Sequence, residues 1–256
     1  MTRIEDYALI GDCETAALVG RDGSVDWLCF PRFDSDSCFA RLIGTEQNGY
    51  WRLCPVGRCT SERRYRPGTL ILETTFKTDS GRVRVIDFMP PRTASSKVVR
   101  IVEGLEGKVE MRSEMAARFD YGISVPWASR IKDGAISLVA GASMLLFRAD
   151  VAMHGEAMRT VGQFSVARGQ RAAFVLSHQL SYQDPIPAED PDVLLKRTED
   201  FWCDWSGRCK TAGPYSEQVM RSLITLKALT FGPSGGIVAA PTTSLPEQIG
   251  GEGNRD

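Results

Sequence analysis

Histidine is scarce: His154 and His178 are the only two among 256 residues. Structural zinc sites usually draw on two pairs of ligands, so the closest cysteines, Cys54 and Cys59, lack a matching second pair. No metal site and no cofactor are expected. The seven cysteines are odd in number and stand at unrelated spacings, which suits reduced thiols in a reducing compartment. An excess of one charge is missing too. The 31 Lys and Arg against 32 Asp and Glu leave a formal net charge of −1, without the basic footprint that nucleic-acid binders need. The opening MTRIEDYALIGD places acids where a secretory leader needs a basic flank and an apolar stretch. The longest apolar run, Ala135 to Phe147, falls short of the roughly 20 residues that cross a bilayer. A cytoplasmic address follows as an expectation, with neither nucleic acid nor membrane as partner.

Several catalytic signatures are absent as well. There is no G-x-S-x-G elbow, no phosphate-binding G-x-x-x-x-G-K-[ST] and no dinucleotide-binding G-x-G-x-x-G. Neither histidine stands in a nucleophile signature, and both are read as structural or surface groups.

What is present is a chain that folds, with 43% hydrophobic and 25% charged residues. Up to about Asp184 the pattern is strand-like, with apolar and polar residues alternating between turn signals. Thr15 to Cys29 reads as a hairpin about Arg21-Asp22-Gly23-Ser24. Leu70 to Phe76 pairs with Arg82 to Phe88. Further hairpins are expected about Gly104 to Gly107, about Gly141 and about Arg168-Gly169. A short helix is expected in SCFARLIG, capped by Ser37 and stopped by Gly44.

After the proline-rich stretch near Gln183 to Asp190 the period lengthens to that of a helix. Asp190 should cap it with Pro191 at its first position, and Leu194, Thr198, Phe201, Trp202 and Trp205 form its apolar stripe. A second helix should run from Tyr215 to Phe231, apolar around most of its circumference. Its apolar sides ask for partners, so self-association through this helix at micromolar concentration is expected. The reading divides the chain into a β unit over residues 1–184, a helical linker over 185–213 and a further unit over 214–256.

Paired carboxylates are one remaining route to catalysis. Asp26, Glu73, Asp87, Glu103 and Glu114 all fall on expected strands, where outward-facing positions are the simpler reading. Trp27, Trp51, Phe119, Tyr121 and Trp127 could stack on sugars, although core packing is the simpler account of most of them. Pro126-Trp127 is the best candidate for a loop that presents a ring.

Longer stretches carry a resemblance. IEDYALIGDCETAALVGRDGSVDWLCFPRFDSDSCFARLIG, YRPGTLILETTF, VRVIDFMPPR, RFDYGISVPW, FWCDWSG and YSEQVMRSLITLKALTFGPSGGIVAAPTTSLPEQIGG occur in this order. Together they resemble the N-terminal trehalase-like region of glycoside hydrolase family 15, the glucoamylase and trehalase group. The resemblance implies a mainly β fold: an antiparallel super-β-sandwich, a helical linker and then the first helix of an (α/α)₆ barrel. It further implies inverting hydrolysis of a terminal α-linked glucose by two glutamates roughly 6.5 to 9.5 Å apart. In the family both glutamates lie in barrel loops beyond residue 256, so no catalytic residue is assigned here and the chain alone is expected to be inactive. The α-glucoside would be met through that barrel. Glu252 to Asp256 departs from the family's approach to its Trp-x-Arg-Asp motif, with Gly253 and Arg255 at the usual Arg and Trp positions. Arg32, Asp34, Trp127 and Thr243 are the residues expected to come near substrate. The alternative is a stand-alone, non-catalytic sandwich module for barrel docking, folding or weak glycan binding.

Overall fold

The computed structural model describes residues 3–210 and 212–246. The positions singled out between 252 and 256 lie outside them. The described residues contain fifteen strands. They are β1 (Tyr7–Gly11), β2 (Ala16–Gly20), β3 (Ser24–Cys29), β4 (Ser37–Phe39), β5 (Tyr50–Pro55), β6 (Thr60–Tyr65), β7 (Leu72–Thr78), β8 (Gly81–Phe88), β9 (Lys97–Ala116), β10 (Trp127–Arg130), β11 (Ile136–Ala140), β12 (Ser143–Ala149), β13 (His154–Glu156), β14 (Arg159–Ala167) and β15 (Arg171–Leu180). Two helices follow, α1 (Pro191–Ser206) and α2 (Ser216–Ala228).

All the strand pairings are antiparallel, and they form two layers. One runs β1-β2-β3-β5-β9-β14-β13, with β4 beside β3. The other runs β6-β7-β8-β9-β15-β12-β11-β10. The twenty-residue β9 belongs to both. Its first half pairs with β8 and β15, and its second half with β5 and β14.

This arrangement corrects two expected hairpins. The chain does not reverse at Gly104 to Gly107, and β14 and β15 do not pair with each other. Both places are corners where strands pass from one layer to the other. Gly169 N–H donates to the Gly104 carbonyl at 2.9 Å, and Arg168 N–H to Gly107 at 3.0 Å, so the two corners lie against each other. A Cβ on Gly104 would sit 2.0 Å from the Ala167 carbonyl oxygen, and Gly107 has φ +64°. Glycine here permits close approach and a bend rather than a turn.

A third correction concerns SCFARLIG. Ser37 to Phe39 form β4 against β3, with Leu28 opposite Phe39, and only Arg41 to Ile43 make a 3₁₀ turn. All three β4 residues are buried. Strand pairing thus satisfies the backbone of a segment too short to hold a stable helix alone.

The main core lies between the layers. Trp51 on β5 meets Phe147 on β12 edge to face, with ring centroids 5.4 Å apart. Asp190 caps α1, its carboxylate accepting from the Asp192 N–H at 2.8 Å. Leu194 and Leu195 cover Ile71, Ile86, Phe88, Val99 and Ile101 on the outer face of the second layer. Farther along α1, Trp202 packs with Ile224 and Ala228 of α2, against Leu70 and Cys13. α2 ends at Ala228, earlier than expected, because the chain folds back and Thr230 bridges to Ile237.

Candidate functional site

The segment after α2 crosses back over the β layers, and its partners define the site. Gly232 N–H donates to the Cys13 carbonyl at 2.7 Å. Trp27 Nε1 donates to the Pro241 carbonyl at 2.8 Å, and the Tyr121 hydroxyl to the Ser244 carbonyl at 3.1 Å. Cys29 Sγ and Ser244 Oγ lie 3.3 Å apart. Leu245 packs onto Trp27, Cys29 and Ala40 beside Tyr121. Residues 241–245 are thereby clamped to the outside of the first layer. Burial pushes the Cys29 thiol up to about 12, so it is a neutral hydrogen-bonding group here and no nucleophile.

Between this clamped segment and the loop after β3 opens a cleft of about 350 Å³. Arg32, Asp34 and Thr243, three of the four residues expected near substrate, line it together with Phe231 and Ile237. The loop has a firm base. Phe33 is buried, and its N–H donates to the Glu14 carbonyl at 2.9 Å. Arg92 donates to the Pro31 carbonyl and pairs with Glu14 at 2.8 Å. At the rim, Arg32 Nε and Nη2 reach the two Asp34 oxygens at 2.8 and 2.7 Å. The Arg32 guanidinium lies 5.1 Å from the Phe231 ring centroid. Arg32 and Asp34 are both half-exposed, so a hydroxyl-bearing ligand could exchange hydrogen bonds with either. Thr243 is buried, with its N–H on the Ala240 carbonyl.

Trp127, the fourth, is not part of this cleft. It opens strand β10 rather than sitting in a loop, and it lines a different cleft. Trp27, Trp51 and Phe119 are core residues. Trp27 and Tyr121, with Cys29, also form the clamp, a role that sequence reasoning missed. Partners more than a hundred residues away leave no local pattern to read.

The expectation of solvent-facing carboxylates needs correction. Asp26, Glu73, Asp87 and Glu114 are buried, and arginine or hydroxyl groups occupy them. Arg66 and Arg64 each donate to Glu73 at 2.9 Å. Burial alone would raise the Glu73 carboxyl, but these hydrogen bonds and the Arg84 charge hold it below the ordinary range. Glu114 accepts from Tyr50, Arg112 and Arg159. Burial again opposes these partners, and again its carboxyl is held low. Asp26 takes the Tyr7 hydroxyl at 2.7 Å. Glu103 alone of the five stays partly exposed, pairing with Arg171 at 3.2 Å. None of the five lines the Arg32–Thr243 cleft. Among the described residues, no group of three or more His, Cys, Asp or Glu side chains is placed to hold a metal. No described helix is long and apolar enough to cross a membrane.

Residues 1–183 match the sequence profile of the family described as "Trehalase-like, N-terminal". The chain belongs to this family. A trehalase of Mycolicibacterium smegmatis is 33% identical over 288 residues, covering 99% of this chain and 42% of that protein. One from Thermoplasma volcanium is 28% identical, covering 99% of this chain and again 42% of the relative. The trehalase-like chain thus spans less than half the length of the curated relatives it matches. A crystal structure of a bacterial glucoamylase complexed with acarbose superposes on it with a TM-score of 0.66 at 10% identity, over 94% of this chain and 43% of that one. At that identity the likeness speaks for the fold: an antiparallel sandwich followed by the start of a helical unit. This is the trehalase-like N-terminal domain of glycoside hydrolase-type proteins.

Proposed function

We propose that this chain is the non-catalytic N-terminal part of an inverting hydrolase that removes a terminal α-linked glucose, in the manner of a trehalase or glucoamylase. One observation carries the reading. The segment after α2 is pinned at residues 241–245 by Trp27, Cys29 and Tyr121, so that Thr243 shares a cleft with Arg32 and Asp34. The β layers would then act as a scaffold that fixes the start of the catalytic unit, and their loop would supply part of its mouth. Rigid support of this kind is what site geometry requires, since small misplacements of reacting groups cost large factors in rate.

The chemistry itself needs a protonated acid and an ionised base on opposite sides of the glycosidic bond. Glu73 and Glu114 are held ionised by arginines, which suits neither a proton donor nor a group free to activate water. Both catalytic carboxylates are therefore assigned to residues beyond 256. The seven free thiols support a reducing, cytoplasmic setting. The coding sequence after Asp256 tests the proposal. It should continue in frame into a helical barrel with two suitably placed glutamates, and the extended protein should release glucose from trehalose or maltooligosaccharides. A downstream sequence without such a barrel would favour the stand-alone sandwich module.

A further inference from the structure

A second, larger cleft lies where the free edges of the two layers approach each other. Among the described residues β10 pairs only with β11, and β13 only with β14. The space between these edges is about 850 Å³, within the roughly 300 to 1,000 Å³ of small-molecule sites. Its floor is apolar and buried: Met115, Ala117, Ile136 and Leu138. Trp127 stands at its wall with 80% of its surface exposed. Met158 and Val125, also strongly exposed, line the same cleft, so the indole belongs to an apolar cluster rather than being a single scattered surface residue.

The polar groups of the cleft are unusual as well. Arg118 is buried, yet Nη1 donates only to the Ala117 and Met158 carbonyls, at 2.7 and 3.2 Å. Arg130 donates to the Met153 and Gly134 carbonyls, at 2.7 and 3.1 Å. Neither guanidinium pairs with a carboxylate of the described residues, and each keeps further N–H donors for a ligand. Across from Trp127, Ala157 and Met158 form the two-residue turn between β13 and β14 with φ +48° and +60°. Glycine or asparagine ordinarily fills such a turn. Two other side chains held in this conformation, with Arg118 gripping the Met158 carbonyl, mark a strained element of the kind that gathers at binding sites.

An aromatic face, an apolar floor and planar donors at the rim match the two sides of a pyranose, its C–H face and its ring of hydroxyls. A purely apolar ligand would leave the guanidinium donors unmatched. We propose that the cleft between β10 and β13 binds a short α-linked glucose saccharide, with Trp127 stacked on one sugar ring and Arg118 and Arg130 donating to its hydroxyls. The choice of sugar rests on the α-glucoside reading above.

Titration of the full chain with trehalose and with maltopentaose, followed by tryptophan fluorescence and by calorimetry, tests this. Trp127 is the strongly exposed indole, so its emission should shift on binding. Saturable binding of at least one sugar is expected, weakened by about tenfold or more in Trp127→Ala and clearly weakened in Arg130→Gln. Arg82→Gln, at an exposed ion pair on the opposite part of the sandwich, should bind as the parent chain does. Circular dichroism checks that each variant is folded. No saturable binding of either sugar, or equal binding by a folded Trp127→Ala, would overturn the proposal. Hydrolysis by the extended protein is a separate readout, so failure of binding here leaves the α-glucoside reading standing, whereas an extended protein without such hydrolysis removes the ground for the choice of sugar.

Discussion

Arg100 gathers the acceptors of both layers around one buried charge. Its Nε reaches Asp87 at 2.7 Å, Nη1 the Trp51 carbonyl at 2.8 Å and Nη2 the Gly23 carbonyl at 2.7 Å. Removing the carboxylate would strand a fully buried cation, which typically costs about 3 to 5 kcal/mol. Asp87→Asn is therefore expected to lower the urea midpoint sharply, and a near-normal midpoint would contradict this account of the pair. His178 presents the opposite case. It is buried, and its Nε2 has no hydrogen-bond partner among the described residues. Burial, helped by the Arg92 charge, pushes its pKa from 6.5 down to about 4. The unfolded chain takes up this proton first, so the stability tied to the neutral ring is present above pH 6.5 and is lost as the pH falls towards 4. The difference corresponds to about 3 kcal/mol. Urea unfolding of His178→Leu should show a flatter fall over that window than the parent chain, and identical pH profiles would contradict it. At this scale the sequence could be read only in part. Alternation places Glu73 and Glu114 on strands, but it cannot tell that arginines from other strands will cover them.

Strand β9 decides how the elements connect. Glycines at 104 and 107 carry a correct signal of abrupt backbone change, yet composition alone does not distinguish a reversal from a bend between layers. The difference lies in the partner: the Ala167 carbonyl, more than sixty residues on, lies where a Gly104 Cβ would be. Gly104→Ala should cost at least about 2 kcal/mol, because backbone rather than a flexible side chain must move. Thermal melting checks this, and an unchanged midpoint would mean that the corner is loose. Elsewhere the elements were legible because their causes are local. The β2–β3 hairpin follows from Asp22-Gly23, with Gly23 at φ +78°, and α1 from Asp190-Pro191 and its apolar stripe. SCFARLIG reads as a helix from sequence because three buried residues fit a strand or a helix turn equally well until β3 supplies the hydrogen bonds.

For the molecule as a whole, the apolar α2 is partly accounted for. Ile224 and Ala228 are covered, while Val219 and Leu226, seven residues apart on one face, remain 45% and 50% exposed. Covering the rest of two such side chains would yield about 2 to 3 kcal/mol, well short of the roughly 8 kcal/mol behind a micromolar dissociation constant. Self-association through this face is thus proposed as weak. Sedimentation at rising concentration should show it only well above micromolar, and Leu226→Lys should remove it; a tight dimer would require another surface. As proposed, these β layers and the clamped segment are the scaffold of an α-glucoside hydrolase, without its acid and base. The decisive measurement is glucose release from trehalose and maltooligosaccharides by the stringently purified chain. Each missing positioned acid or base removes about 10² to 10⁴ in rate, so release no greater than that of a heat-killed control is predicted. Glucose release well above that control, retained through successive purifications, would contradict the claim.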